Sequence, residues 1–398
     1  MDSGSISWML VCSALVLFMT PGLAFFYGGL VRGKNLLSTI MLSFISLGLV
    51  SVVWVLWGYT IAFGEGGNDY FGSFKSIAFN GVDTPDAQIF AIFQMMFAII
   101  TPALITGAFC ERFKFKTYLI FLVLWVTFVY APIAHWIWSE DGWLFKRGAL
   151  DFAGGAVVHI NAGMAAIIAA ILVGKRRNPG LEPTNIPYVI LGASMLWFGW
   201  FGFNAGSGLA ANGQAVNAFL VTNTSAATAL MIWVILGLVH GGKASGVGAA
   251  TGAIAGLATI TPASGFVDVQ AALILGLVSG IITFYAVHFK DKVNLDDALD
   301  VFAVHGLGGI IGIIGTGLFA KEAIGGAKGI FEGSSTLFVE NIIMIIATTV
   351  YSLLATFIIL KVLDIIPGLG IRSTESEEDL GLDISDHGER AYVSDGAD

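Results

Sequence analysis

Long apolar runs separated by short polar loops set the character of this chain. Eleven runs can be marked, at 8–31, 36–63, 87–110, 117–138, 150–173, 187–203, 215–239, 245–260, 267–289, 298–319 and 337–363. Most reach the roughly 20 residues with which a helix crosses the hydrocarbon of a bilayer. The sixth and eighth are short, and their ends are the hardest to place. The pattern predicts an all-α polytopic membrane protein, with eleven transmembrane helices over residues 1–370 and an acidic tail over 371–398.

Composition supports lipid as the solvent. Of the 398 residues, 56% are hydrophobic and 12% charged, half the charge of an ordinary soluble domain. Mean hydropathy is +0.83. The 51 glycines suit helices that pack closely where lipid gives little hydrophobic drive between them. Cys12 and Cys110 stand inside apolar runs without metal-type spacing, and read as small buried hydrophobes. The opening Met1-Asp2-Ser3-Gly4 lacks the basic region of a secretory signal, so the first run is expected to be a retained helix. No phosphate-binding Gly-x-x-x-x-Gly-Lys-Ser/Thr loop and no His-Glu-x-x-His pair is present, which argues against a primary pump and against a membrane enzyme.

Charge adds sidedness. One set of alternate loops carries Arg32, Lys34, Arg112, Lys114, Lys116, Lys175, Arg176, Arg177, Lys243, Lys290 and Lys292. With Lys361, Arg372 and Arg390 this makes fourteen of the nineteen basic residues. The opposite loops hold only Lys75, Lys146, Arg147, Lys321 and Lys328. The positive-inside rule then predicts an external N-terminus and a cytoplasmic tail, an arrangement that requires an odd number of spans. The net charge of −9 belongs mostly to that tail, where nine acidic residues face Arg372 and Arg390.

A weak repeat marks the polar residues that need explaining. Asp151 precedes His159 by eight positions near the start of the fifth run, and Asp297 precedes His305 by eight near the start of the tenth. Five spans per unit is odd, so the second copy would be inverted, a common transporter architecture. One histidine in an apolar helix is explained by packing and a carbonyl bond. Two at matched positions favour a shared site at the repeat interface. A neutral imidazole has one donor and one acceptor, so two rings joined through one nitrogen pair would share a proton and turn their other nitrogens to a lumen. Metal binding needs three or four convergent ligands, and no third His or Cys is near in sequence. Asp151 reads as a cap of the fifth helix, as negative charge that helps recruit a cation, or as both. Asp297 and Asp300 are the matching features of the second half, with Asp296 in the loop.

Aromatic residues gather at one end. Phe93 and Phe97 share a helical face, Trp138 ends the fourth run, and the sixth ends in the run from Trp197 to Ser207 that contains Phe203. Interfacial Trp and Phe ordinarily form a belt. Set around a mouth with a Ser hydroxyl, they would instead hold a small cation by cation–π attraction and a hydrogen bond.

These residues resemble a known family. Asp151-Phe-Ala-Gly-Gly-Ala-Val-Val-His159-Ile with Asn161-Ala-Gly163 is similar to the signature of ammonium transporters. So are the run from Pro21 to Gly29, Ala131-Pro-Ile-Ala-His135-Trp, the run from Trp197 to Asn204, Asp297-Ala-Leu-Asp300-Val-Phe-Ala-Val-His305-Gly and the tail from Gly381 to Gly388. The motifs occur in family order over nearly the whole chain. The resemblance implies eleven helices in two inverted five-helix halves plus a final helix, assembled as a homotrimer with one pore per subunit. It implies that Trp138, Ser207 and Phe97, with Phe93 beside them, recruit ammonium at the outer face, and that Asp151 supports that site. It makes Phe97 and Phe203 a phenyl gate and His159 and His305 a twin-histidine pair past which ammonia is conducted in a plasma membrane.

The acidic stretch from Glu375 to Asp379 reads as a solvated end. By resemblance it would instead dock on neighbouring subunits, with a PII-type signalling protein as regulator. No cofactor, metal or nucleic-acid partner is implied. The two alternatives are a passive Rhesus-like ammonia channel and an ammonium sensor on the same fold. A sensor would favour an added signalling domain, for which the short stretch after Gly370 gives little room.

Overall fold

A computed structural model describes residues 1–179, 183–290 and 292–392. Among the described residues the chain is helical, with no strand. Ten helices are long and apolar enough to cross a membrane: α1 (Ser3–Leu30), α2 (Gly33–Phe63), α3 (Pro85–Phe109), α4 (Phe115–Lys146), α5 (Gly155–Val173), α6 (Ile186–Gly206), α7 (Gly213–Gly241), α9 (Val269–Lys290), α10 (Phe302–Phe319) and α11 (Thr336–Ile365). The shorter apolar α8, Gly246–Ile260, completes eleven. An odd number of crossings leaves the two termini on opposite faces.

Local chemistry sets many of the starts. Asp2 caps α1 by accepting from the Ser5 amide at 2.8 Å. Thr84 caps α3 ahead of Pro85, whose missing N–H costs nothing in a first turn. Asn212 and Ser245 accept from Ala215 and Gly248 to open α7 and α8. Each such cap contributes about 1 kcal/mol.

The fifth and tenth runs depart from expectation in a useful way. The apolar pattern predicts starts at 150 and 298, yet the helices begin at Gly155 and Phe302. The intervening residues form buried, non-helical approaches, with Asp151 and Asp297 held back as caps. α5 and α10 therefore start inside the bundle and, as inverted mates, enter from opposite faces. Both open in a π-helical turn, at Gly155–Ile160 and Phe302–Gly306, a widened geometry found often at functional sites.

Their crossing is built on glycine. A Cβ on Gly163 would collide with the Gly306 backbone, and one on Gly309 would meet the Gly155 carbonyl oxygen at 2.5 Å. Backbone thus touches backbone where the helices pass, and the side chains one turn away, His159 and His305, are brought together.

Two structures hold the loops. At the end near residue 63, each ring nitrogen of buried His135 lies 2.7 Å from a carbonyl oxygen, of Ala62 or Asn68, and Trp136 donates to the Tyr70 carbonyl. His135 is thus a packing histidine that ties the α2–α3 loop to α4. At the opposite face Arg32 clasps Glu111 and Arg176 clasps Asp296. Buried Arg112 gives its N–H groups to the carbonyls of Ala108, Cys110, Gly174 and Asp296. Burial opposes the charge of Asp296, but the bonds from Arg176 and the nearby Arg112 outweigh it, so the carboxyl titrates below its usual range.

Residues 371–392 do not hang free. They form two short helices, α12 (Glu375–Leu380) and α13 (Leu382–His387), the first opened by a capping box between Thr374 and Glu377. Asp383 accepts from the Leu37 and Ser38 amides at 3.1 and 2.8 Å, and Leu382 donates to Asn35. Lys34 donates to the Glu378 and Asp379 carbonyls, and Arg372 pairs with Glu378. The tail thus packs on the loops of its own chain. Asp395 and Asp398 of the acidic tail lie outside the described residues.

Gly163→Val places a branched side chain into the α5–α10 crossing. It is expected to lower stability by about 1–3 kcal/mol, read as a lower melting temperature of the purified protein in detergent. A melting temperature equal to the parent's would mean that the crossing opens without cost.

Candidate functional site

The approach to the interior begins in a vestibule of about 110 Å³, lined by Phe90, Phe93, Gln94, Phe97, Trp138, Phe152, Ser207 and Leu209. It lies on the face that carries the N-terminus. Trp138 is fixed there because its indole N–H donates to the Asp151 carbonyl at 2.8 Å, and its ring meets Phe97 edge-on at 5.6 Å. Ser207 donates its hydroxyl proton to the Phe203 carbonyl at 2.9 Å. Its oxygen lone pairs are left for a donor in the vestibule. Aromatic rings and one free acceptor suit a small cation with N–H groups.

Asp151 does not itself face that vestibule as a free charge. One carboxylate oxygen accepts from the amides of Gly154 and Gly155, the other from Ala156 and Val157, at 2.6–3.1 Å. All four orphan donors of the α5 start are satisfied by one side chain. Of the two roles open in the sequence, the geometry supplies the cap directly. Any part in recruitment runs through the position of Trp138.

Phe97 and Phe203 close the vestibule floor, with centroids 4.3 Å apart and planes inclined 34°. Phe93 backs Phe97 at 5.0 Å. Below the pair lies a constriction of about 10 Å³, lined by Phe203, Trp200, His159, His305 and apolar side chains such as Leu104 and Ile254. That is the limiting space for one water. His305 also borders a wider cavity of about 190 Å³ toward the other face, with Phe26, Tyr27, Thr251 and Asp300. Vestibule, phenyl pair, histidine pair and lower cavity follow one another in a single line.

The two histidines meet through Nδ1, 3.2 Å apart, with rings inclined 22°. Such a contact needs one donor and one acceptor, and the neighbours decide which is which. The Thr261 hydroxyl donates to the Leu257 carbonyl and accepts from Trp200. Its remaining lone pair accepts from His159 Nε2, at a long 3.4 Å. His159 Nδ1 is then the acceptor and His305 Nδ1 the donor. His305 Nε2 is left with a lone pair and no partner among the described residues, on the side of the lumen. This amends the expectation that both outer nitrogens are free: one is held by Thr261.

The structure places Phe93, Phe97, Trp138, Asp151, His159, Phe203, Ser207 and His305, all singled out in the sequence, along one path through the bundle. Sequence reasoning missed Thr261, Trp200 and Gln94. Trp200 lies inside a run already singled out, and Thr261 is a polar residue beside Pro262 at the end of the short α8. Their partners, however, are fixed only by the fold. Among the described residues no group of three or more His, Cys, Asp or Glu side chains could hold a metal ion.

An eleven-helix bundle with a constricted lumen between two wider mouths defines a membrane transport protein. Two inverted halves meet at its narrowest point. The chain belongs to the Ammonium Transporter Family, whose model matches residues 7–392. It is 46% identical over 396 residues to "Ammonium transporter Amt1" of Archaeoglobus fulgidus, covering 99% of this chain and 100% of that protein. The crystal structure of Saccharomyces cerevisiae Mep2 superposes with a TM-score of 0.92 at 35% identity, over 100% of this chain and 93% of the other. A structure titled "Sensor Amt Protein" superposes with a TM-score of 0.88 at 28% identity, over 96% and 98%. These relatives are transport-family proteins and not enzymes.

Removing the Asp151 cap tests its structural part. Asp151→Ala strands four buried amides and is expected to cost about 2 kcal/mol or more. Asp151→Asn, which keeps one acceptor oxygen, should fall between it and the parent in thermal melting. Equal melting of all three would remove the cap role.

Proposed function

We propose that the protein carries ammonium across the plasma membrane by recruiting the ion in the vestibule, removing its proton and conducting ammonia past His159 and His305. The family supplies the substrate. The lumen supports the mechanism, and one observation carries the proposal: the path below Phe97 and Phe203 is too narrow and too apolar for a hydrated ion. Taking an intact ammonium ion there without water would cost many kcal/mol. Neutral ammonia needs only a donor or an acceptor, and the free lone pair of His305 Nε2 is an acceptor on its route.

Each site residue then has a part. Trp138 and Phe97 attract the cation through their rings, Ser207 accepts one of its N–H groups, and Phe93 supports Phe97. Asp151 holds the α5 start and, through its carbonyl, Trp138. Phe97 and Phe203 form a gate that shuts out water between passages. The proton-sharing histidine pair offers a relay that carries no fixed charge. Potassium has no proton to give and no hydrogen bond to donate, so selectivity rests on deprotonation.

The positive-inside pattern supports a vestibule that faces outward and a tail, residues 371–398, that lies in the cytoplasm below the transmembrane unit 1–370. Family resemblance supports a homotrimer and a PII-type regulator at the tail face. A sensor function is the second reading, favoured by the similarity to the structure titled a sensor.

Proteoliposomes given an ammonium pulse should show a saturable transient current, absent with potassium. His159→Ala should lose the current or its selectivity. Internal alkalinisation without current would indicate a neutral ammonia channel. Neither signal from well-folded protein would move the sensor reading to first place.

A further inference from the structure

One polar side chain of the vestibule has no part in the scheme above. Gln94 stands on α3 between Phe93 and Phe97, is 8% exposed, and borders the vestibule beside Trp138 and Ser207. Its Oε1 is shut away from solvent without a donor, and none of its polar atoms bonds to another of the described residues. Buried amides are normally satisfied, and an unsatisfied one calls for an absent ligand or water. Met or Leu would fill the same volume without that cost. The two methionines that follow, Met95 and Met96, show that this helix accepts such residues when packing alone decides.

We propose that Gln94 is a further ammonium-binding residue of the vestibule, its side-chain amide adding a second hydrogen-bonding group to that of Ser207. The proposal rests on the ammonium-transport reading and deepens it. Ammonium presents four N–H donors in a tetrahedron. The rings of Trp138 and Phe97 meet its charge but accept no strong hydrogen bond, and Ser207 offers one acceptor. Rotated about its final torsion so that the carbonyl faces the vestibule, Gln94 offers a second.

The amide suits this step better than a carboxylate. The final torsion of Gln has two broad orientations, which exchange the oxygen and the nitrogen. Oxygen toward the vestibule accepts from the ammonium ion; nitrogen toward it donates to the lone pair of ammonia. The same group thus serves the substrate on both sides of deprotonation, and it adds no charge that would hold the cation back. Two oxygens cannot replace the hydration shell of potassium, whereas two directed bonds match two of the N–H groups of ammonium.

The test compares ammonium-evoked currents in proteoliposomes for the parent, Gln94→Leu and Gln94→Glu over a concentration series. Gln94→Leu loses one hydrogen bond to a charged ligand, and its half-saturating concentration should rise about tenfold with the maximal current within about twofold. Gln94→Glu keeps an acceptor and adds charge. Its half-saturating concentration should fall, and its maximal current should fall with it as the ion is held. Opposite shifts in the two variants are what a merely structural glutamine would not produce. If Gln94→Leu fails to fold, Gln94→Met, of closer volume and equally without the amide, takes its place. Parent-like half-saturation in the folded variants, over an intact parent current, overturns the role of Gln94 and leaves the transport reading standing. Absence of current in the parent removes both.

Discussion

The backbone contact between Gly163 of α5 and Gly306 of α10 is the constraint on which the lumen depends. A side chain on Gly163 would push the helices apart, and the 3.2 Å contact between His159 and His305 would not survive the separation. Close approach alone does not suffice, because both helices begin inside the bundle, where orphan amides have no water. Asp151 and Asp297 meet that need from within their own segments. The eight-residue spacing of Asp and His is therefore mechanical. It puts each histidine just past a capped start, at the depth where the inverted copies meet.

That geometry explains how polar groups exist at the centre of an apolar protein. An ionised side chain at mid-depth would be costly. A pair of imidazoles that bond one another needs no charge, and the surroundings finish the assignment. Thr261, itself occupied by Leu257 and Trp200, fixes the tautomer of His159, and His159 in turn fixes that of His305. A chain of four hydrogen bonds, one of them long, thus leaves a single unspent lone pair on His305. The aromatic floor above performs the complementary task. Phe97 and Phe203 present no acceptor, so water has little reason to stay between them.

Much of this was legible in the sequence because lipid simplifies the reading. Apolar runs had to be helices, the basic loops had to alternate, and polar residues inside the runs had to have partners. His159, His305 and Asp151 therefore announced themselves. The helix starts at Gly155 and Phe302 were hidden, since Leu150, Ala298 and their neighbours are as apolar as the helices they precede. Chain breaks in a membrane protein are tolerated where they are buried in protein, and hydropathy does not register that distinction. The π-helical turns were hidden for the same reason. Gln94 was passed over because one Gln among aromatic residues looks incidental until its neighbours in space are known.

The face that bears the tail shows how the two halves are locked. Arg32 follows α1 and Glu111 follows α3, so their pair ties loops of the first unit, whereas Arg176, after α5, pairs with Asp296, before α10, and joins the first unit to the second. Buried pairs of this kind are weak sources of stability, since desolvation offsets much of the attraction. They are strict about position, because each partner left alone would be an uncompensated buried charge. Asp296 is adjacent to Asp297, and Asp297 caps the helix that carries His305. Arg176 thus holds the residue next to the cap on which one of the two histidines depends. The tail is anchored a few residues away, through Arg177 to Asp379 and through Lys34 to Glu378. A contact made at this face therefore lies a short way from the centre of the lumen: from Arg177 to Arg176, across an ion pair to Asp296, and along the chain to His305. Rigid, position-sensitive pairs are what such a route requires, and apolar packing of equal strength would not define position as sharply.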